Sequence, residues 1–145
     1  MKDAPITSLT ETVCACGQLH PDALLGIGLF NQHKFFEAHE ALETAWRAET
    51  GALRELYRGI LQAGIAYYHI QRGNFNGAHK LFSRARRCLT PFPKVCCGVP
   101  VIDLLANLQR AEEELLRLGA DRIQYFNPGL YKPIEIKKGE ETNDE

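Results

Sequence analysis

The stretch His39-Glu40-x-x-Glu43 is where residue types and spacing come nearest to chemistry. An imidazole and a carboxylate four residues apart stand one turn apart on a helix, where they can share a proton or a cation. At 100° per residue, with His39 as zero, Phe35, Phe36, Leu42 and Trp46 fall within roughly 60° of it, and so does Glu43. The ionisable pair therefore lies inside an apolar arc, with Glu40 and Arg47 at its edge and Glu37 pointing away. Burying such groups unpaired is costly, so the interior must supply partners. Between Leu56 and Ile70 the chain offers Arg58, Gln62 and His69, which fall within roughly 40° of one another on an otherwise apolar helix. If the two helices pack through these faces, His39, Glu43, Arg58, Gln62 and His69 meet in one enclosed polar site. Trp46, Tyr57, Tyr67 and Tyr68 would line it.

Such a site admits several readings. His39, Glu43 and His69, with Glu40 nearby, form a nitrogen-and-oxygen ligand set of the kind that takes a divalent metal such as zinc, manganese or iron. The motif lacks the second histidine of the protease His-Glu-x-x-His, so hydrolysis by that route is weakly supported. Alternatively Arg58 could hold an anionic small molecule, with His39 and Glu43 as acid and base. A third reading is a structural hydrogen-bonded network that fixes helix register and binds nothing. A fourth, from another class, is a helical protein-interaction module without chemistry. The residue pattern does not decide whether the protein is an enzyme, and beyond a divalent metal it suggests no cofactor.

The elements that must position these residues are helical, because apolar spacing follows a period of 3.6 and strand signals are nearly absent. Ser8-Leu-Thr-Glu11 has capping-box spacing and predicts a short helix in the segment 1–20. Pro21-Asp22 opens a helix through Leu24, Leu25, Leu29 and Phe30, which ends where Asn31 can take the left-handed cap conformation. The next helix runs from Phe35 to Glu49 and a central, nearly all-apolar one from Leu53 to Arg72, where Gly59, Ala63 and Ala66 permit close approach of a neighbour. Gly73-Asn74 ends it. Phe75, Ala78, Phe82, Ala85 and Leu89 then form one face, with Lys80, Arg84 and Arg87 opposite. A last helix follows Pro100 and ends at Gly119. The expected fold is all-α: one domain, an antiparallel bundle of about five main helices over residues 21–118, with an irregular C-terminal extension over 119–145 whose end is mobile. The hairpin at Gly73-Asn74 has the geometry of a tetratricopeptide unit, but no second copy at that period is present.

Composition bounds the function. The 145 residues are 45% hydrophobic and 24% charged, an ordinary globular balance, and no apolar run reaches the length of a membrane span. The opening MKDAPITSLTET lacks the apolar core of a secretory signal, so a cytoplasmic location is expected. The five cysteines, Cys14, Cys16, Cys88, Cys96 and Cys97, then read as reduced thiols. Zinc at Cys14-x-Cys16 and Cys96-Cys97 is disfavoured by spacings tighter than usual. No acid occurs between Glu55 and Asp103, where Arg58, Arg72, Lys80, Arg84, Arg86, Arg87 and Lys94 all lie. At a net charge of -1 this reads as helices that neutralise one another rather than as a nucleic-acid face, which would also want interleaved exposed aromatics. The expected partner is a small molecule or a protein, with no membrane; self-association stays open.

Several runs of residues, taken jointly, resemble a known family. Phe30-Asn31, Phe35-Phe36-Glu-Ala-His39-Glu40-x-x-Glu43-x-x-Trp46-Arg47, Tyr57-Arg-Gly59-Ile-Leu-Gln62-Ala63 and Gly73-Asn74-x-x-Gly77-Ala78-x-x-Leu81 look like the signature of the domain of unknown function 309 family. The resemblance extends in order over roughly residues 24 to 118. It implies a compact helical domain and no particular activity. Its motif positions map here onto His39, Glu40, Glu43, Trp46, Arg47, Gln62, Gly73 and Asn74. One departure is His33-Lys34, where similar proteins often place a glycine in the turn.

Overall fold

In the computed structural model, which describes Cys14, Ala15 and residues 17–137, five helices follow one another: α1 (Pro21–Asn31), α2 (Phe35–Ala48), α3 (Leu53–Gln71), α4 (Phe75–Leu89) and α5 (Val101–Leu118). Each of α1 to α4 packs against its successor, and α5 lies against α4. The capping box at Ser8 to Glu11 falls outside the described residues.

Local chemistry sets the boundaries. Pro21 opens α1, and the His20 Nδ1 accepts the Asp22 amide at 3.0 Å, so one otherwise unpaired N–H at the helix start is satisfied. The Asn74 side chain does the same for Gly77 at the start of α4. Gly73 (φ 75°) and Gly119 (φ 74°) turn the chain out of α3 and α5 through the left-handed region, which glycine enters without a Cβ clash.

The core is continuous from α1 to the C-terminal extension. Phe30, Phe35, Tyr67 and Phe82 are fully buried at the centre, one from each of α1 to α4. Two glycines let the backbones meet. A Cβ on Gly26 would sit 2.6 Å from Leu42 Cγ and 3.2 Å from the Ala38 carbonyl oxygen, and one on Gly59 would sit 2.6 Å from Leu89. These contacts set the α1–α2 and α3–α4 spacing.

After Gly119 the chain forms two short 3-10 turns, Ala120–Tyr125 and Pro128–Leu130, and then runs without regular structure. It is nonetheless part of the fold, since Ile123, Phe126, Tyr131 and Ile134 are buried. Asn31 holds it in place: its Nδ2 donates to the Ile134 carbonyl at 2.9 Å and its Oδ1 accepts the Ile134 amide at 2.8 Å.

That role corrects the turn expected after α1. Asn31 stays helical, and the left-handed residue is His33 (φ 64°), the place where a glycine would be at ease. The strain at a non-glycine residue is offset by packing. The His33 ring stacks on Phe35 at 5.6 Å, and its Nε2–H donates to the Tyr131 carbonyl at 3.1 Å.

The cysteines need a second correction. Cys14 and Cys96 are joined in a disulfide rather than reduced. They are 82 positions apart, and only the folded path of the chain brings them together. Cys16 lies outside the described residues. No helix among the described residues is long and apolar enough to cross a membrane.

Candidate functional site

On α2 the residues Phe35, Ala38, Leu42 and Ala45 face the core, while His39, Glu43 and Trp46 lie half-buried along its flank. That flank meets α3, and the motif residues therefore mark a seam between two helices at the surface rather than an enclosed chamber.

His39 and Glu43 do pair as their spacing requires, with Nε2 3.8 Å from Oε1. The other carboxylate oxygen of Glu43 accepts from Arg47 at 2.9 Å, so one acid answers two basic groups. Glu40 is exposed on the next row out. The remaining members of the expected cluster are not brought to this pair. Arg58 is exposed and contacts Glu55 at 3.5 Å. Gln62 is buried but turned toward α4, where its Oε1 accepts from the Cys88 thiol at 3.5 Å. Tyr57 is buried and accepts the His20 amide at 2.9 Å. His69 pairs with Asn74 at 3.3 Å. The reason is geometric: α3 is flanked by both α2 and α4, and the roughly 40° stripe sends Gln62 to α4, His69 to the residue that caps α4 and Arg58 to solvent, away from the His39–Glu43 pair.

Instead the seam carries a row of rings. His39 lies 6.2 Å from Phe36, Phe36 lies 5.6 Å from Tyr68, and Tyr68 lies 6.2 Å from His69. The two histidines are thus the ends of a platform that crosses from α2 to α3. Phe36 is 48% exposed. Arg72 extends the platform, its guanidinium 5.7 Å from the Tyr68 ring. At the far end of α2, Arg54 stacks on Trp46 at 4.2 Å and donates to the Trp46 and Glu49 carbonyls. Tyr68 was expected from sequence to line the site, whereas Phe36, Arg54 and Arg72 were not among the residues expected to form it. Phe36 belonged to the apolar arc, and the signal that it projects outward is its phase, one residue on from the buried Phe35.

Three buried polar atoms have no hydrogen-bond partner among the described residues: His39 Nδ1, Trp46 Nε1 and Tyr67 Oη. Two of the three border the seam. Tyr67 is different, a core residue whose phenol burial pushes well above its ordinary pKa, with the Tyr131 hydroxyl as a second cause. Burial also holds the His69 imidazole below its ordinary value. The Gly77 amide fixes which end of the Asn74 amide is the oxygen, so Nδ2 is the donor to His69 Nδ1 and the imidazole accepts as the neutral form. With fewer protons bound in the folded state, stability rises with pH. His69 favours folding above the unfolded value of 6.5, and that contribution fades as pH falls from there through the lower folded value. A proton NMR titration is expected to place the His69 midpoint below 6.5; a midpoint at or above it would contradict the pairing with Asn74.

Metal ligation finds little support in this arrangement. His69 is separated from His39 and Glu43 by Phe36 and Tyr68, and no group of three His, Cys, Asp or Glu side chains among the described residues is placed to hold a cation. Two clefts, of about 270 and 320 Å³, are lined by other residues, the first between α5 and the C-terminal extension and the second along Arg86 and α5. The acid-free run from Glu55 to Asp103 is answered where α4 meets α5. There the nearly buried Glu112 carboxylate takes Arg86 on one oxygen and His79, at 3.2 Å, on the other.

Comparison with known proteins agrees with the family resemblance, over a shorter stretch than the 24 to 118 expected. Residues 24–81 match the family Domain of unknown function (DUF309), a stretch that contains α2, α3 and the whole ring platform. An uncharacterized protein of Bacillus subtilis (strain 168), YpuF, is 38% identical over 111 residues, which is 74% of this chain and 60% of that protein's length. The chain thus spans less than two thirds of that relative. No solved structure matches.

Proposed function

We propose, from the premise that residues 24–81 carry the Domain of unknown function (DUF309), that this protein is a peptide-binding module whose working surface is the α2–α3 seam. The observation that supports this reading is the ring platform of His39, Phe36, Tyr68 and His69, with Phe36 half-exposed and Arg72 at its edge. Small molecules bind in concavities that enclose most of their surface, and an open seam cannot do that. An extended or helical segment laid along the seam gathers contact from its length, with an apolar side chain on the rings and an acidic one beside Arg72 or Arg54. His39 and Glu43 then orient the surface rather than transfer protons, since Glu43 is already held by Arg47. The reading includes a cytoplasmic location and no enzymatic step.

Panning a displayed peptide library on the full chain tests it. Enriched peptides are expected to pair an aromatic or aliphatic residue with a nearby Asp or Glu, and Phe36→Ser is expected to weaken them about tenfold or more. Leu116→Ser, a change at an exposed apolar site on α5, serves as the control and should leave binding intact. Peptides that bind wild type and Phe36→Ser equally would end the proposal.

A further inference from the structure

Three distant parts of the chain converge on the turn that precedes α5. Cys96 is bonded to Cys14, the Cys97 amide donates to the Cys14 carbonyl at 3.0 Å, and the Lys137 amide donates to the Gly98 carbonyl at 2.7 Å. The turn itself is closed by the paired Cys96–Val99 amides and carbonyls, with Cys97 (φ 52°) and Gly98 (φ 84°) both left-handed. From Cys14 the chain runs to His20, whose amide is held by the buried Tyr57 of α3. Two described residues ahead of α1 are thus fastened, Cys14 covalently and His20 by a hydrogen bond. None of α1 to α5 depends on that stretch for its own capping except α1, which His20 serves.

We infer that Cys14 and Cys96 form a redox-operated latch, a dithiol/disulfide couple whose reduction by a small or protein dithiol frees the described residues ahead of α1, Cys14, Ala15 and residues 17–20, while the five-helix bundle stays folded. This stands apart from the peptide-binding reading, because no residue of the ring platform takes part. In the reductive direction a thiolate of the dithiol attacks Cys14 Sγ, on the less deeply buried of the two residues. The Cys14–Cys96 bond breaks and Cys96 leaves as a thiolate that takes up a proton. The second thiol of the reagent then displaces Cys14 from the mixed disulfide, so two electrons and two protons pass to the protein and the reagent becomes a disulfide. An oxidised dithiol reverses each step. Both cysteines are buried, so attack needs a local opening and the latch responds slowly. Beside it, burial and the Glu49 carboxylate raise the Cys97 pKa, which keeps that thiol protonated and slow to attack its neighbour.

The test uses the full chain purified without reductant. Digestion after alkylation under denaturing conditions is expected to yield the Cys14 and Cys96 peptides still joined. Adding a dithiol should then speed hydrogen exchange at the Cys97 and His20 amides by about tenfold or more, while the interior amides of α3 keep their protection. Cys14→Ser with Cys96→Ser should reproduce the reduced pattern, and reoxidation of the wild type should restore the slow one. Three results overturn the inference: both cysteines alkylating without reduction, unchanged exchange on reduction, or loss of protection throughout α3, which would make the bond a mere support of the whole fold.

Discussion

Phe35→Ala is expected to destabilise the protein by about 3–5 kcal/mol, a large share of what a domain of this size has to lose. Phe35 opens α2 with its ring fully buried. It touches Phe30 of α1, Tyr67 of α3 and Tyr131 of the C-terminal extension, each with ring centres 5.3 Å apart and each edge-on, and it carries the stacked His33. Edge-to-face pairs add to the burial itself, and neighbours that are themselves rings cannot flow into the space left behind. Urea unfolding followed by circular dichroism measures the effect. Phe36→Ala, one residue along and half-exposed, should cost less than about 1 kcal/mol in the same assay. Should the two variants come out alike, the assignment of Phe35 to the core and Phe36 to the platform is wrong.

Glu112→Ala should cost about 2–3 kcal/mol. The carboxylate sits near the middle of α5 with little solvent access, and it joins Arg86 and His79 of α4 to that helix. His79 needs only a proton on Nδ1 to donate, so the contact does not depend on a charged imidazole. Removing the acid strands the Arg86 guanidinium, but that group is more than one third exposed and water recovers part of the loss. This is why the figure stays below that for a fully buried pair. Glu112→Gln keeps the shape and one acceptor, and it should fall between wild type and alanine. Chemical denaturation of the three proteins at pH 7 orders them; an alanine variant as stable as wild type would show that α4 and α5 are held by their apolar faces alone.

The two substitutions mark what could and could not be read beforehand. Phe35 was legible as an apolar position at the start of a helix, but which rings would meet it was not, because Tyr131 comes from nearly a hundred residues away. Glu112 gave no local signal. The charge separation along the chain did, and helices that neutralise one another describes how α4 and α5 meet. His39 with Glu43 was legible from spacing alone, since one helix holds both. Gln62 was expected beside them and turned instead to Cys88, because helical phase says that a side chain leaves a helix in a given direction without saying which neighbour stands there.

By itself the amino-acid sequence determined the all-helical class, the five helices and most of their ends, because periodicity, caps and left-handed glycines act within a few residues. It also determined that α2 carries its ionisable pair on a largely apolar side. Tertiary structure alone decided that this side becomes an open seam with a row of rings, that Asn31 pins the C-terminal extension, and that Cys14 finds Cys96. Those outcomes rest on contacts between segments far apart in the chain, and local physical rules fix a side chain's direction but not the surface it will meet.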